Sequence, residues 1–109
     1  MAEPSLQEIF GAGATQDVNS LIIDKADLVA IGLTASATNT AESLLAAIIA
    51  IAQQTLTTTR QDANPEQSIT IEDSIESLTT RNNQTYRQLS KSLNFEKLDT
   101  QSAFDPDDY

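Results

Sequence analysis

The chain has 109 residues, 39% hydrophobic and 20% charged, with a formal net charge of −10. That fits one globular domain with a single modest core, acidic enough to repel phosphate backbones and anionic lipid, so neither nucleic acid nor a membrane surface is an expected partner. Cys and His are both absent, which removes thiol nucleophiles, Cys/His zinc sites, imidazole bases and any Ser-His-Asp triad; no enzyme activity and no cofactor is expected.

Glu3, Pro4 and Glu8 stand where a secretory leader would carry a basic segment and then an apolar one. No signal peptide is read, and a cytoplasmic protein is expected. Residues 4–10 suit a short helix: Pro4 fits the first turn, and Leu6, Ile9 and Phe10 recur at helical spacing. Gly11 is placed to end it, and residues 11–14 read as a mobile hinge; no Lys-Ser/Thr follows to make a phosphate loop. Residues 18–23 read as a strand covered on both faces, because Leu21, Ile22 and Ile23 are contiguous. Asp24 is placed to cap a helix over residues 25–31, with Asp27 at the capping-box position. Gly32 fits the left-handed stop, and Leu33 is spaced to touch Leu28.

Residues 39–56 carry the longest helical signal. Asn39 is the expected N-cap with Glu42 three residues on, and neither Gly nor Pro occurs between Asn39 and Leu56. Ala41, Leu44, Leu45, Ile48, Ile49, Ile51, Ala52 and Leu56 share one core-facing arc. The apolar run is far shorter than the ~20 residues a bilayer requires. The back of the helix carries Ser43, Ala46, Ala47 and Ala50, with Gln54 at the edge. A smooth patch of small residues admits close approach by a second copy across a two-fold axis. Alanine's helix propensity explains the same residues without an interface.

Residues 60–67 read as a loop with a turn at Asn64-Pro65. From Ser68 the period changes to two: Ile69, Ile71, Asp73 and Ile75 alternate with polar residues, and Leu89, Lys91, Leu93 and Phe95 do so on a second strand. Together they make a β-hairpin around Asn82-Asn83. Matching the apolar faces sets Ile69 opposite Phe95, Ile71 opposite Leu93, Asp73 opposite Lys91, Ile75 opposite Leu89 and Ser77 opposite Arg87. That register demands an odd loop, Arg81-Asn82-Asn83. Residues 99–109 read as an acidic tail with Phe104 as its tether, and the run of like charges from Asp105 to Tyr109 is expected to bury nothing and to be dispensable for folding.

Candidate sites are few. Glu72 and Glu76 share a strand face, but nothing nearby in sequence raises either pKa, and a solvated face is expected. Phe104, Asp105, Asp107, Asp108 and Tyr109 make a free acidic tail or a docking tail anchored by its rings. The tail lacks the spacing of an EF-hand. Arg81, Arg87, Lys91 and Lys97, interleaved with Tyr86 and Phe95, could serve single strands of nucleic acid, but cross-strand pairing with Glu72, Asp73, Glu76 and Glu96 is the expected use. Asn83-Gln84-Thr85 matches a glycosylation pattern that, without a secretory signal, is read as coincidence.

Phe10-Gly11-Ala12, the run from Ile23 to Leu28, the helix opening from Asn39 to Leu45 and the ending Asp105-Pro106-Asp107-Asp108-Tyr109 resemble small uncharacterised bacterial proteins associated with phage-derived structural gene sets. The likeness spans most of the chain and ties no residue to an activity. It implies a structural role, with a phage-like particle as the other expected location.

The expected architecture is α+β: a small, mostly antiparallel sheet with a C-terminal β-hairpin, packed against one long central helix. The domain is expected over residues 1–98, with the tail over 99–109. The expected function is structural or interactive, through self-assembly as a homo-oligomer or as an adaptor to another protein. The alternative is a module that binds a small ligand or divalent cation at the tail or in a crevice between sheet and helix.

Overall fold

The computed structural model describes residues 3–97 and 103–109. Helix α1 (Leu6–Phe10) opens on a reciprocal capping box. The Ser5 hydroxyl accepts from the Glu8 N–H at 3.1 Å and the Glu8 carboxylate accepts from the Ser5 N–H at 2.9 Å, which satisfies two otherwise orphaned donors. The helix stops at Gly11, whose φ of 112° is open to glycine. The expected hinge at residues 11–14 is instead a held turn. The Gly13 N–H donates to the Asp27 carboxylate at 2.7 Å, and Ala14 is buried. A Cβ added at Gly11 would lie 2.6 Å from that of Asp27, so the glycine permits a close approach of two segments.

Strands β1 (Thr15–Gln16) and β2 (Leu21–Ile22) form a minimal antiparallel hairpin. The covered strand expected over 18–23 is not present. The Asp17 carboxylate accepts from the Asn19 and Ser20 N–H groups, both at 2.8 Å, and this turn takes up the first half of the run. Val18, Leu21 and Ile22 remain exposed. A 3-10 helix, η1 (Lys25–Ile31), comes next, with the Asp24 carboxylate accepting from the Ala26 N–H. Gly32 closes it at φ 115°, the Leu33 N–H donates to the Leu28 carbonyl at 3.2 Å, and both leucines enter one apolar cluster, as the sequence predicts.

Helix α2 (Ala41–Thr55) is capped by Thr40, one residue later than expected. Asn39 instead ties down the connector: its Oδ1 accepts from the Ser36 N–H and its Nδ2 donates to the Thr34 carbonyl. The core lies along α2 in two clusters. Leu28, Leu33, Ala47 and Ile51 form one, with Leu44 and Ile48 beside them; Ala52, Leu56 and Ile71 form the other, with Ile9, Ile49 and Ile69. The buried arc is thus rotated from the expected one: Leu45 is exposed and Ala47 buried. Leu33, positioned by the turn at Gly32, covers the Ala47 side.

Helix α3 (Thr58–Ala63) takes up the first half of the expected loop. The Thr57 hydroxyl caps it by accepting from the Arg60 N–H, and Arg60 reaches Glu8 of α1 at 2.7 Å. The Gln67 side chain, 1% exposed, donates to the carbonyls of Thr57 and Ile69 and so fastens α3 to the next strand.

Strands β3 (Ile69–Asp73), β4 (Ser77–Arg81), β5 (Gln84–Gln88) and β6 (Lys91–Phe95) form one long, interrupted hairpin. At its base the expected register holds: Ile69 faces Phe95, Ile71 faces Leu93 and Asp73 faces Lys91. At its tip it does not. Ser77 faces Gln88, not Arg87, and the turn is the two residues Asn82-Asn83, at φ 53° and 62°. Positive φ at both positions is the signature of a type I′ hairpin turn, so the three-residue loop is corrected. The Ser74 N–H donates to the Ser90 carbonyl at 2.7 Å. Ile75 and Glu76 are therefore left together opposite Leu89, a β-bulge that absorbs the one-residue mismatch.

The architecture is α+β with antiparallel pairing throughout, though the strands form three two-stranded ladders, not one sheet. Helix α2 packs on α1, η1 and β3, and the outer hairpin reaches away from it, giving extents of 47 × 33 × 26 Å. The expected domain boundary at 98/99 falls outside the described residues.

Candidate functional site

Four of the five residues of the small-residue patch meet in one place. Ser43, Ala46, Ala47 and Ala50 line a groove of about 310 Å³ whose other wall is Ile31, Gly32 and Leu33. The patch is thus one side of a channel and not a flat helix back. Gln54 is exposed but does not line it. Glu42 stands exposed one turn before Ala46. Sequence periodicity places the alanines; it does not show that the Gly32 stop folds a wall beside them.

Two of the charge pairs expected across the hairpin are present, Lys91 with Asp73 and Arg87 with Glu76. Lys91 donates to Asp73 at 2.7 Å and to the side-chain oxygen of Gln53 on α2 at 2.7 Å, while the Gln53 amide donates to Asp73 at 3.2 Å. This three-residue strut joins helix to hairpin. The Lys91 and Gln53 hydrogen bonds, with the Lys91 charge, hold the Asp73 carboxyl below its ordinary range. Glu8 is held down in the same way, first by the Ser5 N–H and then by Arg60. Arg87 pairs with Glu76 at a loose 3.4 Å, and Arg81 lies 4.4 Å over the Tyr86 ring. Asn83, Gln84 and Thr85 sit exposed at the tip.

The C-terminal residues fold back on the hairpin base. Phe104 and Tyr109 meet the Phe95 ring edge-on, at 5.3 and 5.5 Å, and stack on each other at 5.7 Å. Asp105 caps the short 3-10 turn Pro106–Asp108 by accepting from the Asp107 N–H. Phe104 thus packs as the expected tether, whereas Tyr109, in the run expected to bury nothing, also has ring partners in the same chain. Phe104 keeps an exposed face. Among the described residues, no three acidic side chains converge as a metal site requires, and no helix is long and apolar enough to cross a membrane.

Periodicity also missed how many large aliphatics stay outside. Val18, Leu21, Ile22, Val29, Leu45, Ile75, Leu78 and Leu89 are all more than half exposed, whereas the large aliphatics buried among the described residues are Leu28, Leu33, Ile51, Leu56 and Ile71. Compared with known proteins, the chain matches no family model, no curated protein and no solved structure.

Proposed function

We propose that the protein is a non-enzymatic building block that works by associating with copies of itself, or as a small adaptor to another protein, within a phage-like assembly. The observation that carries this reading is the exposed aliphatic surface: more large aliphatic side chains face outward than are buried among the described residues. Contiguous exposed apolar patches mark interaction sites, and this many outward aliphatics on so small a chain supply the side chains for one. The groove beside α2 supplies a concave, apolar place for a partner side chain.

Light scattering after size exclusion tests it. Wild type is expected to exceed the mass of one chain at high concentration, and Ala50→Arg, which puts a cation in the groove, is expected to reduce that mass while the protein stays folded. A wild type that runs as a single chain at every concentration rejects self-association. A melting midpoint raised by Ca²⁺ or Mg²⁺ would favour the cation-binding reading instead, since a ligand that binds only the folded state stabilises it by mass action.

A further inference from the structure

The outer hairpin is the cationic part of an anionic chain. From Ser77 to Phe95 the sequence holds Arg81, Arg87 and Lys91 and no acidic residue; all 16 Asp and Glu lie elsewhere, against Lys25, Arg60 and Lys97. Lys91 is engaged at the base by Asp73 and Gln53. Arg87 leans on Glu76, with both side chains more than half exposed. Arg81 rests on the Tyr86 ring and makes no salt bridge among the described residues. A guanidinium laid on a ring keeps its donor edge open to a carboxylate. Every residue of β4 is exposed, as is every residue of β5 except Tyr86. Leu78, Leu89 and Ile75 project from this ribbon or its bulge into solvent. A two-stranded ribbon is marginal in water and is stabilised by covering a face.

We infer that this hairpin is an arm that docks head to tail on the body of a second copy, seating an aliphatic side chain in the groove between α2 and residues 31–33. The inference rests on the self-association reading and specifies its geometry. Charge selects the arrangement. Two arms meeting would bring four guanidiniums together, and two bodies meeting would oppose two acidic surfaces; arm on body joins opposite signs. The groove has apolar walls, room for an inserted side chain and Glu42 exposed beside it. Such a contact is heterologous. Each docked pair keeps one free arm and one free groove, so the contact propagates into a ring or filament.

Complementation by mixing tests this. One variant carries Arg81→Glu and Arg87→Glu in the arm; the other carries Ala46→Arg in the groove. All three positions are exposed, and circular dichroism checks that the folds are intact; Ser43→Arg, also exposed and lining the groove, replaces Ala46→Arg if that variant unfolds. Light scattering is expected to show wild type growing in mass with concentration and shrinking as salt rises, since exposed charges are screened. Each variant alone is expected to run as a single chain, and the equimolar mixture as a pair, because one good arm meets one good groove. An arm variant that keeps the wild-type mass overturns the inference while self-association stands, and loss with the groove variant alone points to a two-fold contact between α2 helices. A mixture that stays single-chain overturns the head-to-tail geometry, and a single-chain wild type removes the self-association reading along with it.

Discussion

Deleting Ile75 is expected to stabilise the protein. Removing one residue from a strand ordinarily slips the register by one and turns every following side chain to the wrong face. Here the extra residue is the mismatch. Once it is gone, Ser74 opposite Ser90 is followed by Glu76 opposite Leu89 and Ser77 opposite Gln88, and every pair of both ladders survives. Ile75 is 87% exposed, so almost no burial is lost. The gain is one or two ladder hydrogen bonds, each worth about 0.5–1.5 kcal/mol net. Stability should therefore rise by about 1 kcal/mol, or roughly 4 °C in Tm for a chain of this size. Deleting Ser90 is the control. It removes the acceptor for the Ser74 N–H and leaves three residues opposite one, so it should destabilise by about 1 kcal/mol or more. Urea unfolding with unchanged slope reads both variants against wild type. The reasoning is refuted if the Ile75 deletion loses as much stability as the Ser90 deletion, because the two strands would then be matched residue for residue.

Ile71→Ala empties the centre of the second cluster and should cost about 2–5 kcal/mol, read by urea unfolding; a loss below that range would mean the helix and hairpin do not share a core there. A chain ending at Ala103 loses both partners of Phe95, and at about 0.5–1.5 kcal/mol per aromatic pair its melting midpoint should fall by several degrees; equal midpoints would show the ring cluster to be idle. Acid should loosen the two struts. Asp73 and Glu8 both have folded pKa values below their ordinary ones, so their contribution is complete above the usual carboxylate range and is lost as pH falls through and below it. Lys91→Met should flatten the Asp73 part of that profile, and a variant with the wild-type acid profile would assign the acid sensitivity elsewhere.

Features legible in the sequence and features hidden in it divide by the range of the forces involved. The Asp24 cap, the stop at Gly32 with Leu33 on Leu28, and the Gly11 terminus are local and read directly. Helix α3 is locally encoded too: Thr57 is a good cap and Asn64-Pro65 a good stop, but its polar composition resembles a loop. The covered strand expected over 18–23 shrinks to the exposed pair Leu21–Ile22, because an apolar run predicts burial only if another element arrives to cover it, and among the described residues none covers Leu21 or Ile22. The hairpin holds two local instructions that disagree. Apolar matching sets the register at Ile69 and Ile71, Asn82-Asn83 sets another at the tip, and the bulge reconciles them. For the groove, the alanines are legible on α2, but the wall opposite depends on where Gly32 turns the chain.

Among the described residues, helix α2 is the only element with buried residues in both apolar clusters, and the handover falls between the adjacent residues Ile51 and Ala52. Two clusters strung on one helix are expected to open as separate cooperative regions. One contains η1 and the Gly32 turn; the other contains α1 and the hairpin base. Amide exchange should resolve them as sub-global openings of different free energy, with residues 23–33 releasing their protons while β3 and the second half of α2 stay protected. The first half of α2 would then fray with η1, so the wall and floor of the groove would come and go as a unit, and occupancy of the groove would be felt as slower exchange at Leu28 and Leu33.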